Sequence, residues 1–477
     1  MTSTPLEEKT IPPTDLPAVE EVEQGYVPAK VHWYRGTTAQ TIIVGVASFL
    51  APGAYAALAA TGAGGLADIT WGNASSAIAY GLIVPSALIS TGCLSKIGPR
   101  WTLAIGACGY APYAAALYAN SAFRNQWGLV VGAIVCGLTS GLFWVSEGAI
   151  IMIYSEPERK GRLLALWQSI YQAATLIGGG INLGLNVHNK SSGGLAPKTY
   201  LTFVGLNCLA PFVSLLLSNP KQVQRVDKKP VPAFPSEGFW KECWLTCKEL
   251  KDPKILACAF LWSQCLFIPS YLGTYVARFF SVRARGLTSI VQPLLAILFF
   301  QIAGVILDSK KIKLRHKLIV TWGALQVLGI ASMIWILVKN VHLDSVTPRP
   351  TYDWTTPGFA AAWVPAQFAR AVASTNYGYN YYMATWVFPR QADGARVSRI
   401  IATLRSAESG SAAIAFGIAA AGLPLHNLGY INIAFLILTT FLGAYILQFI
   451  WVQDKAGVYD KPPTVSESES QSEVEVN

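Results

Sequence analysis

Twelve apolar runs of roughly 20 residues, separated by short polar loops, set the limits on what this chain can become. They lie near 37–60, 73–94, 101–119, 127–154, 162–185, 200–217, 253–279, 286–307, 318–338, 358–386, 398–422 and 430–452. Each is long enough to cross about 30 Å of hydrocarbon as a helix. Within a bilayer only helices and closed barrels satisfy every backbone amide and carbonyl. The expected fold is therefore all-α and polytopic, with twelve transmembrane helices. Composition agrees, because 52% hydrophobic and 13% charged residues, with mean hydropathy +0.39, are too apolar for an ordinary soluble protein.

The formal net charge is +10. Concentrated on one soluble face it would suggest nucleic acid, but the cations fall in loops between apolar runs, so the expected surroundings are a lipid bilayer and no nucleic acid. With both termini cytosolic, the inner segments hold 26 of the 36 Lys and Arg residues and the outer loops 8, while Arg370 and Arg405 lie within runs. That asymmetry follows the positive-inside rule. Arg278, Arg283 and Arg285 run against it, clustering in a loop assigned to the outside. Two glycosylation sequons, Asn73 with Ser75 and Asn189 with Ser191, fall in outer loops and mark Asn73 and Asn189 as expected N-glycosylation sites. The chain reads as multi-pass, in the plasma membrane or an endomembrane.

Eight cysteines lie in expected helices or on the cytosolic side, so no disulfide framework is implied. Cys243 and Cys247 have helical spacing without a histidine nearby, and no metal site is expected. The sequence has no Walker motif and no metal-protease or hydrolase signature. Neither an enzyme nor a cofactor is expected.

Residues 1–36 read as a disordered cytosolic N-tail, 37–217 as a six-helix bundle, 253–452 as a second six-helix bundle and 453–477 as an acidic, serine-rich, disordered cytosolic tail. The intervening linker, 218–252, contains an amphipathic stretch. Ser236 is its expected N-cap, and Phe239, Trp240, Cys243, Trp244, Cys247 and Leu250 share one face, which should lie along the inner membrane surface. Weak repeats join the two bundles. GCLSKIGPR after the second run echoes GVILDSKK after the eighth, at an offset of 212. Arg162, Ser169 and Gly180-Ile181 align with Arg399, Ser406 and Gly417-Ile418 at an offset of 237. Repeated six-helix halves around a central cavity are transporter architecture, with substrate near the bilayer midplane.

Four charges lie inside the runs: Glu147, Arg370, Arg405 and Glu408. An unpaired ion at depth is expensive, so pairing is expected. Glu147 and Arg405 each sit about seven residues, roughly 10 Å, from the inner surface. Two pairings follow: a Glu147–Arg405 gate between the halves, or Arg405 with Glu408 one turn along its own helix. Glu147 is thus either a gating or transport residue or a satisfied structural group between helices, and Glu147 and Glu408 are candidate proton-coupling groups. The tenth run carries a polar stripe, Gln367, Arg370, Ser374, Tyr377 and Tyr381, at intervals of 3, 4, 3 and 4. Asn376, Tyr379 and Asn380 crowd beside it. This aromatic, hydrogen-bonding wall with one cation suits an organic or anionic ligand, although tyrosines near 381 also fit the inner aromatic belt. Gln168, Gln172, Gln264, Gln292 and Gln301 are second-rank candidates. Pro52-Gly53, Pro85, Pro269 and Pro365 mark hinges, and Gly178-Gly179-Gly180 a close-packing site.

The GCLSKIGPR turn resembles the signature between helices 2 and 3 of the major facilitator superfamily. Gly92, Leu94, Gly98 and Arg100 match, and Lys96 stands in place of the acidic residue. Trp144, Glu147, Gly148, Tyr154, the following KGR and the Arg-Ser-Ala-Glu-Ser run at 405–409 resemble the Unc-ninety-three-like branch, especially its fungal members. The similarity spans roughly 37–452 and implies the twelve-helix major facilitator fold. That branch includes regulators of channels and trafficking factors as well as proteins taken as transporters. Two functions are therefore expected. One is a secondary transporter or facilitator of a small solute or ion by alternating access, with proton coupling as an option. The other is a non-transporting adaptor that binds an integral-membrane partner.

Overall fold

The structure is a computed structural model that describes residues 31–156, 159–188, 194–309, 311–388 and 393–456. Most of the N-tail, nearly all of the C-tail and the Asn189 sequon lie outside the described residues. Among the described residues there are helices and turns but no strand. Helix α1 spans Thr37–Ala60, and Ile69–Phe123 bends into two arms, α2 (69–97) and α3 (99–123). The first half continues with α4 (Gln126–Tyr154), α5 (Lys160–Asn186) and α6 (Pro197–Ser214), and α7 (Phe239–Glu249) forms part of the linker. The second half holds α8 (Pro253–Phe279), α9 (Val282–Asp308), α10 (Leu314–Ser345), α11 (Phe359–Val387), α12 (Gly394–Ala420) and α13 (Leu425–Lys455). The twelve expected spans each meet a helix. Several helices overrun their apolar run, as α10 does by ending at 345 rather than 338, because backbone hydrogen bonding continues past the edge of the hydrocarbon.

Local signals explain the helix ends. Asp68, Asn125 and Asp252 accept backbone N–H groups of the first turns of α2, α4 and α8 at 2.9–3.2 Å, each N-cap contributing about 1 kcal/mol. Between α2 and α3, Gly98 adopts φ 77°, ψ 170°, a conformation natural to glycine, and Pro99 then opens the next helix where its missing N–H costs nothing. The expected N-cap of α7 is corrected. The helix starts after Gly238, at φ 95°, rather than at Ser236, and the Glu242 carboxylate accepts the Glu237 N–H at 3.1 Å. A side chain from inside the helix therefore takes the capping role expected of the serine.

Seven helical stretches are long and apolar enough to span a membrane on length and composition alone. Helices α11 and α12 are not among them, since they carry Arg370, Arg405 and Glu408. Their polarity is accommodated by facing inward. The halves meet along two seams, α2 with α12 and α5 with α9. Exchanging the halves turns α2 into α9 and α12 into α5, so one seam maps onto the other. The repeated sequences of α5 and α12 thus occupy equivalent places. Close backbone approach sustains the α5–α9 seam, where a Cβ on Gly179 would lie 2.5 Å from the Ser289 carbonyl carbon. One apolar core lies mainly in the first half, joined by Val282, Ile401 and Ala402, and two lie in the second.

Candidate functional site: a closed cavity between the halves

Contacts join the halves at both ends of the molecule. At the end remote from the linker, the Arg285 guanidinium is buried and donates to the carbonyls of Thr61 (2.6 Å) and Gly62 (3.2 Å), which terminate α1. Asn73 Nδ2 donates to Thr274 Oγ1 at 3.1 Å, and Gly62 packs on the Gly273 carbonyl. At the linker end, Ser406 Oγ donates to the Val84 carbonyl at 3.1 Å, and α7 bridges the seam. Thr246 of α7 shares a 2.8 Å hydrogen bond with Thr91 of α2, while its carbonyl accepts from Thr403 of α12. Buried Glu242 pairs with Arg399 of α12 at 2.9 Å.

The arginine cluster that broke the charge rule is accounted for here. Arg278 pairs with Asp344 at 3.4 Å, and Arg283 pairs with Asp353 through two nitrogens. Arg285 serves the α1 carbonyls. The Asp353 carboxyl is held well below the usual carboxylate range, first by the Arg283 hydrogen bonds and then by those from Ser281 and Thr355. These cations neutralise local groups and leave little free charge to influence orientation.

Between the two sets of contacts lie two connected chambers. The remote one, about 120 Å³, is walled by Tyr55, Ala59, Ala79, Tyr110, Tyr113 and Phe416 among others. The one nearer the linker, about 130 Å³, is lined by Gln168, Gln172, Ser374, Tyr377, Arg405, Glu408 and Ser409. Tyr80, Trp144, Tyr171, Leu266, Pro269 and Arg370 border both and form the waist. Pro52 also faces the remote chamber from a π-helical turn at Phe49–Gly53, so this expected hinge sits where backbone borders the cavity.

The stripe on α11 divides. Arg370, Ser374 and Tyr377 face the cavity and keep part of their surface open. The rest of the expected wall is corrected. Gln367 is buried against Thr288 (3.4 Å) and the Trp363 carbonyl (3.3 Å), and Asn376 accepts from Gln326 of α10 at 3.2 Å. Asn380 donates to Cys265 Sγ at 3.5 Å. Tyr381 is wedged between Trp167 and Trp262, its hydroxyl 3.4 Å from that of Tyr377. Helix α11 is packed on nearly every side, so its polar residues satisfy neighbours on several faces and only the middle of the stripe meets open space.

The charges sort in the same way. Arg405 Nη1 donates to Glu408 Oε1 at 2.7 Å and to the Tyr377 hydroxyl, and its guanidinium lies over the Trp144 ring, 4.6 Å from the centroid. The expected Glu147–Arg405 pair is not formed. Glu147 is fully buried and accepts from the Ser48 hydroxyl and the Trp167 indole N–H, both at 2.5 Å. The pairing along α12 prevails because Glu408 lies one turn away on the same helix, whereas Glu147 points toward α1 and α5. Its second oxygen has no partner among the described residues. Arg370 has no ion pair or hydrogen bond among the described residues, and its titratable neighbours are Tyr80, Tyr171 and Tyr55.

Asn73 is also corrected as a glycosylation site. Helix α2 begins at Ile69, ahead of the apolar run, and carries Asn73 into the bundle, where it is 1% exposed and bonded to Thr274. In the signature turn, Gly92 admits α7, since a Cβ there would lie 2.7 Å from the Phe239 carbonyl. Leu94 is buried, Gly98 makes the bend, Lys96 is exposed, and Arg100 has no ion pair among the described residues. The sequence reading passed over Tyr55, Tyr80 and Tyr171. Ser76, Tyr80 and Ile83 recur at helical spacing on α2, a face that could have revealed the first wall of the cavity.

The profile of the family described as "Ion channel regulatory protein UNC-93" matches residues 49–336. The Notoamide biosynthesis cluster protein O' of Aspergillus versicolor is 31% identical over 82% of this chain and 84% of its own. UNC93-like protein 1 of Arabidopsis thaliana is 28% identical over 56% of this chain and 59% of its own. Among solved structures, the xylose transporter XylE from E. coli, in a partially occluded inward-open conformation, superposes with a TM-score of 0.56 at 12% identity. That match covers 86% of this chain and 96% of XylE. The major facilitator superfamily transporter FucP, in the outward conformation, gives 0.55 at 11% identity over 86% and 98%. At these identities the likeness is one of fold.

Proposed function

Because this chain belongs to the UNC-93 family and has the major facilitator fold, we propose that it is a secondary transporter working by alternating access. The observation that carries this reading is the central cavity flanked at both ends by contacts that join the two halves, α7 of the linker bridging one of them. Two halves joined along two seams, with contacts at either end of a cavity, can open it at one end or the other by rocking, which is the motion of repeat-built transporters. The linker end is the cytosolic end in this reading, with both termini on that side, as the loop cations indicate. Trp240 and Trp244 of α7 are 80% and 70% exposed beside Lys241 and Lys248, a face suited to the headgroup region.

Glu147 is the proposed coupling group. Among the described residues it touches two hydrogen-bond donors and no cation within ion-pair distance, so a proton is the simplest means of neutralising it at depth. The test is flux in proteoliposomes under an imposed pH gradient. Gradient-driven uptake that vanishes in Glu147→Gln supports both transport and coupling. Uptake indifferent to the gradient removes the coupling role.

A second reading is favoured by the family's description as ion channel regulatory. In it, the fold is kept and the protein binds an integral-membrane partner without moving a solute. Stoichiometric co-purification of one channel subunit, together with no flux from folded, ligand-binding protein, would select it.

A further inference from the structure

The cavity combines three features that together define a ligand. The first is the unpartnered guanidinium of Arg370 at the waist. It borders both chambers, and the tyrosines around it offer hydroxyls but no carboxylate. A guanidinium remains charged throughout the range in which proteins work, and a charge enclosed at depth without a partner is costly. The second is that neither buried acid can serve it. Glu408 is committed to Arg405, and Glu147 to Ser48 and Trp167 outside the cavity lining. Arg370, Arg405 and Glu408 therefore leave the lining with one uncompensated positive charge. The third is the contrast between the chambers. Toward the linker the walls carry glutamine, serine and the ion pair, whereas away from it tyrosine rings, alanines and Phe416 predominate, with the Ser76 and Ser140 hydroxyls among them and no charge beyond Arg370.

We propose that the cavity binds an amphipathic organic monoanion, with its carboxylate-class head on Arg370 and its apolar or aromatic body in the remote, tyrosine-walled chamber. This rests on reading the cavity as the protein's ligand site. A planar carboxylate accepts two parallel hydrogen bonds from one guanidinium, and Arg370 has its donors free for that geometry. The aromatic walls then bury the body by area and by edge-to-face contact. A cationic ligand meets repulsion at the waist. A small inorganic anion gains the charge contact but leaves the apolar chamber empty.

The test is thermal unfolding of the purified full-length chain with 4-phenylbutyrate, its neutral amide 4-phenylbutanamide, the cation 4-phenylbutan-1-amine, and acetate as head group alone. Binding to the native state raises the unfolding temperature in proportion to occupancy. The acid is expected to stabilise at concentrations where the amide and amine do not, with acetate weaker by about tenfold or more. Arg370→Gln should lower affinity for the acid about tenfold or more, as loss of a charge-assisted contact predicts. The same substitution should leave the ligand-free unfolding temperature unchanged or higher, because an unpaired charge is removed; a merely structural arginine would show a fall. If Arg370→Gln does not fold, the ligand series on the unaltered chain and on Arg370→Lys still decides. Equal stabilisation by the amide, preference for the amine, or no response to the acid overturns the proposal. Binding with this charge preference but without flux in proteoliposomes leaves it standing and overturns transport alone.

Discussion

Arg285, in the first turn of α9, donates its Nε–H to the Thr61 carbonyl at the end of α1 in the opposite half, at 2.6 Å. The last carbonyls of a helix carry partial negative charge and lack intrahelical donors, so a buried guanidinium there satisfies both the helix end and itself. Replacing it with methionine keeps the bulk and removes the donors. Arg285→Met should lower stability by about 2–3 kcal/mol. It should also raise the thiol-reagent reactivity of a cysteine placed at Ala59 on the remote chamber wall. Unchanged reactivity would mean that this contact does not hold the remote end shut.

Glu147 gives a contrast between charge and shape. Glu147→Gln retains an acceptor for Ser48 and Trp167, so folding and thermal stability should stay close to those of the unaltered chain. Glu147→Leu leaves the Trp167 indole N–H buried and unsatisfied, while the Ser48 hydroxyl keeps the Val44 carbonyl at 2.8 Å, and should cost about 1–3 kcal/mol. A charge swap of Glu147 with Arg405 should fail to restore activity, because Arg405 is engaged by Glu408 and Tyr377. Restoration would revive the gate.

The Asp353–Arg283 pair yields a pH dependence with a definite sign. A carboxyl held below its ordinary value of 3.8 adds stability that is fully present above that value and is lost as pH falls through the lowered one. Asp353→Asn should therefore reduce the unfolding temperature equally at pH 7 and pH 5, with the gap to the unaltered chain closing only below pH of about 4. A gap that already narrows between pH 7 and pH 5 would point to another titrating group.

Packing between α2 and α4 depends on absent side chains. A Cβ on Gly141 would lie 2.6 Å from the Ala87 backbone nitrogen, and Gly137, one turn earlier, faces Ala79 and Leu82. Small residues at this spacing allow membrane helices to approach by backbone. Gly141→Leu should destabilise by about 3 kcal/mol or more, read as loss of monodisperse protein on heating in detergent. Gly180, with nothing nearby, should accept alanine without penalty.

The span pattern was legible because the bilayer imposes one requirement, apolar length, at every position along a run. The bend at Gly98-Pro99 followed from an equally local signal. The site was legible only in part. Arg370, Ser374 and Tyr377 were recovered because their spacing and polarity mark a cavity face. Gln367 carries the same signal and Asn376 and Asn380 crowd beside it, yet Thr288, Gln326 and Cys265 satisfy them. Periodicity tells which residues share a face; it cannot tell whether open space or another helix lies opposite. The choice between Glu147 and Glu408 as partner to Arg405 likewise depended on which way α4 turns its carboxylate. That direction is set by Ser48 and Trp167, 99 and 20 residues away in the chain.

Helix α7 buries Glu242 and Thr246 and leaves Trp240 and Trp244 outside, the reverse of how a surface helix usually sits on its protein. It grips both halves through hydrogen bonds and two ion pairs, Glu242–Arg399 and Glu249–Arg396, contacts that water can replace when a seam parts, while its oily side keeps its hold on the surrounding lipid. Such a brace can let go of one half without drifting off, so, on the proposed transporter reading, the thickness and headgroup charge of the host bilayer become part of what determines how readily the linker end opens.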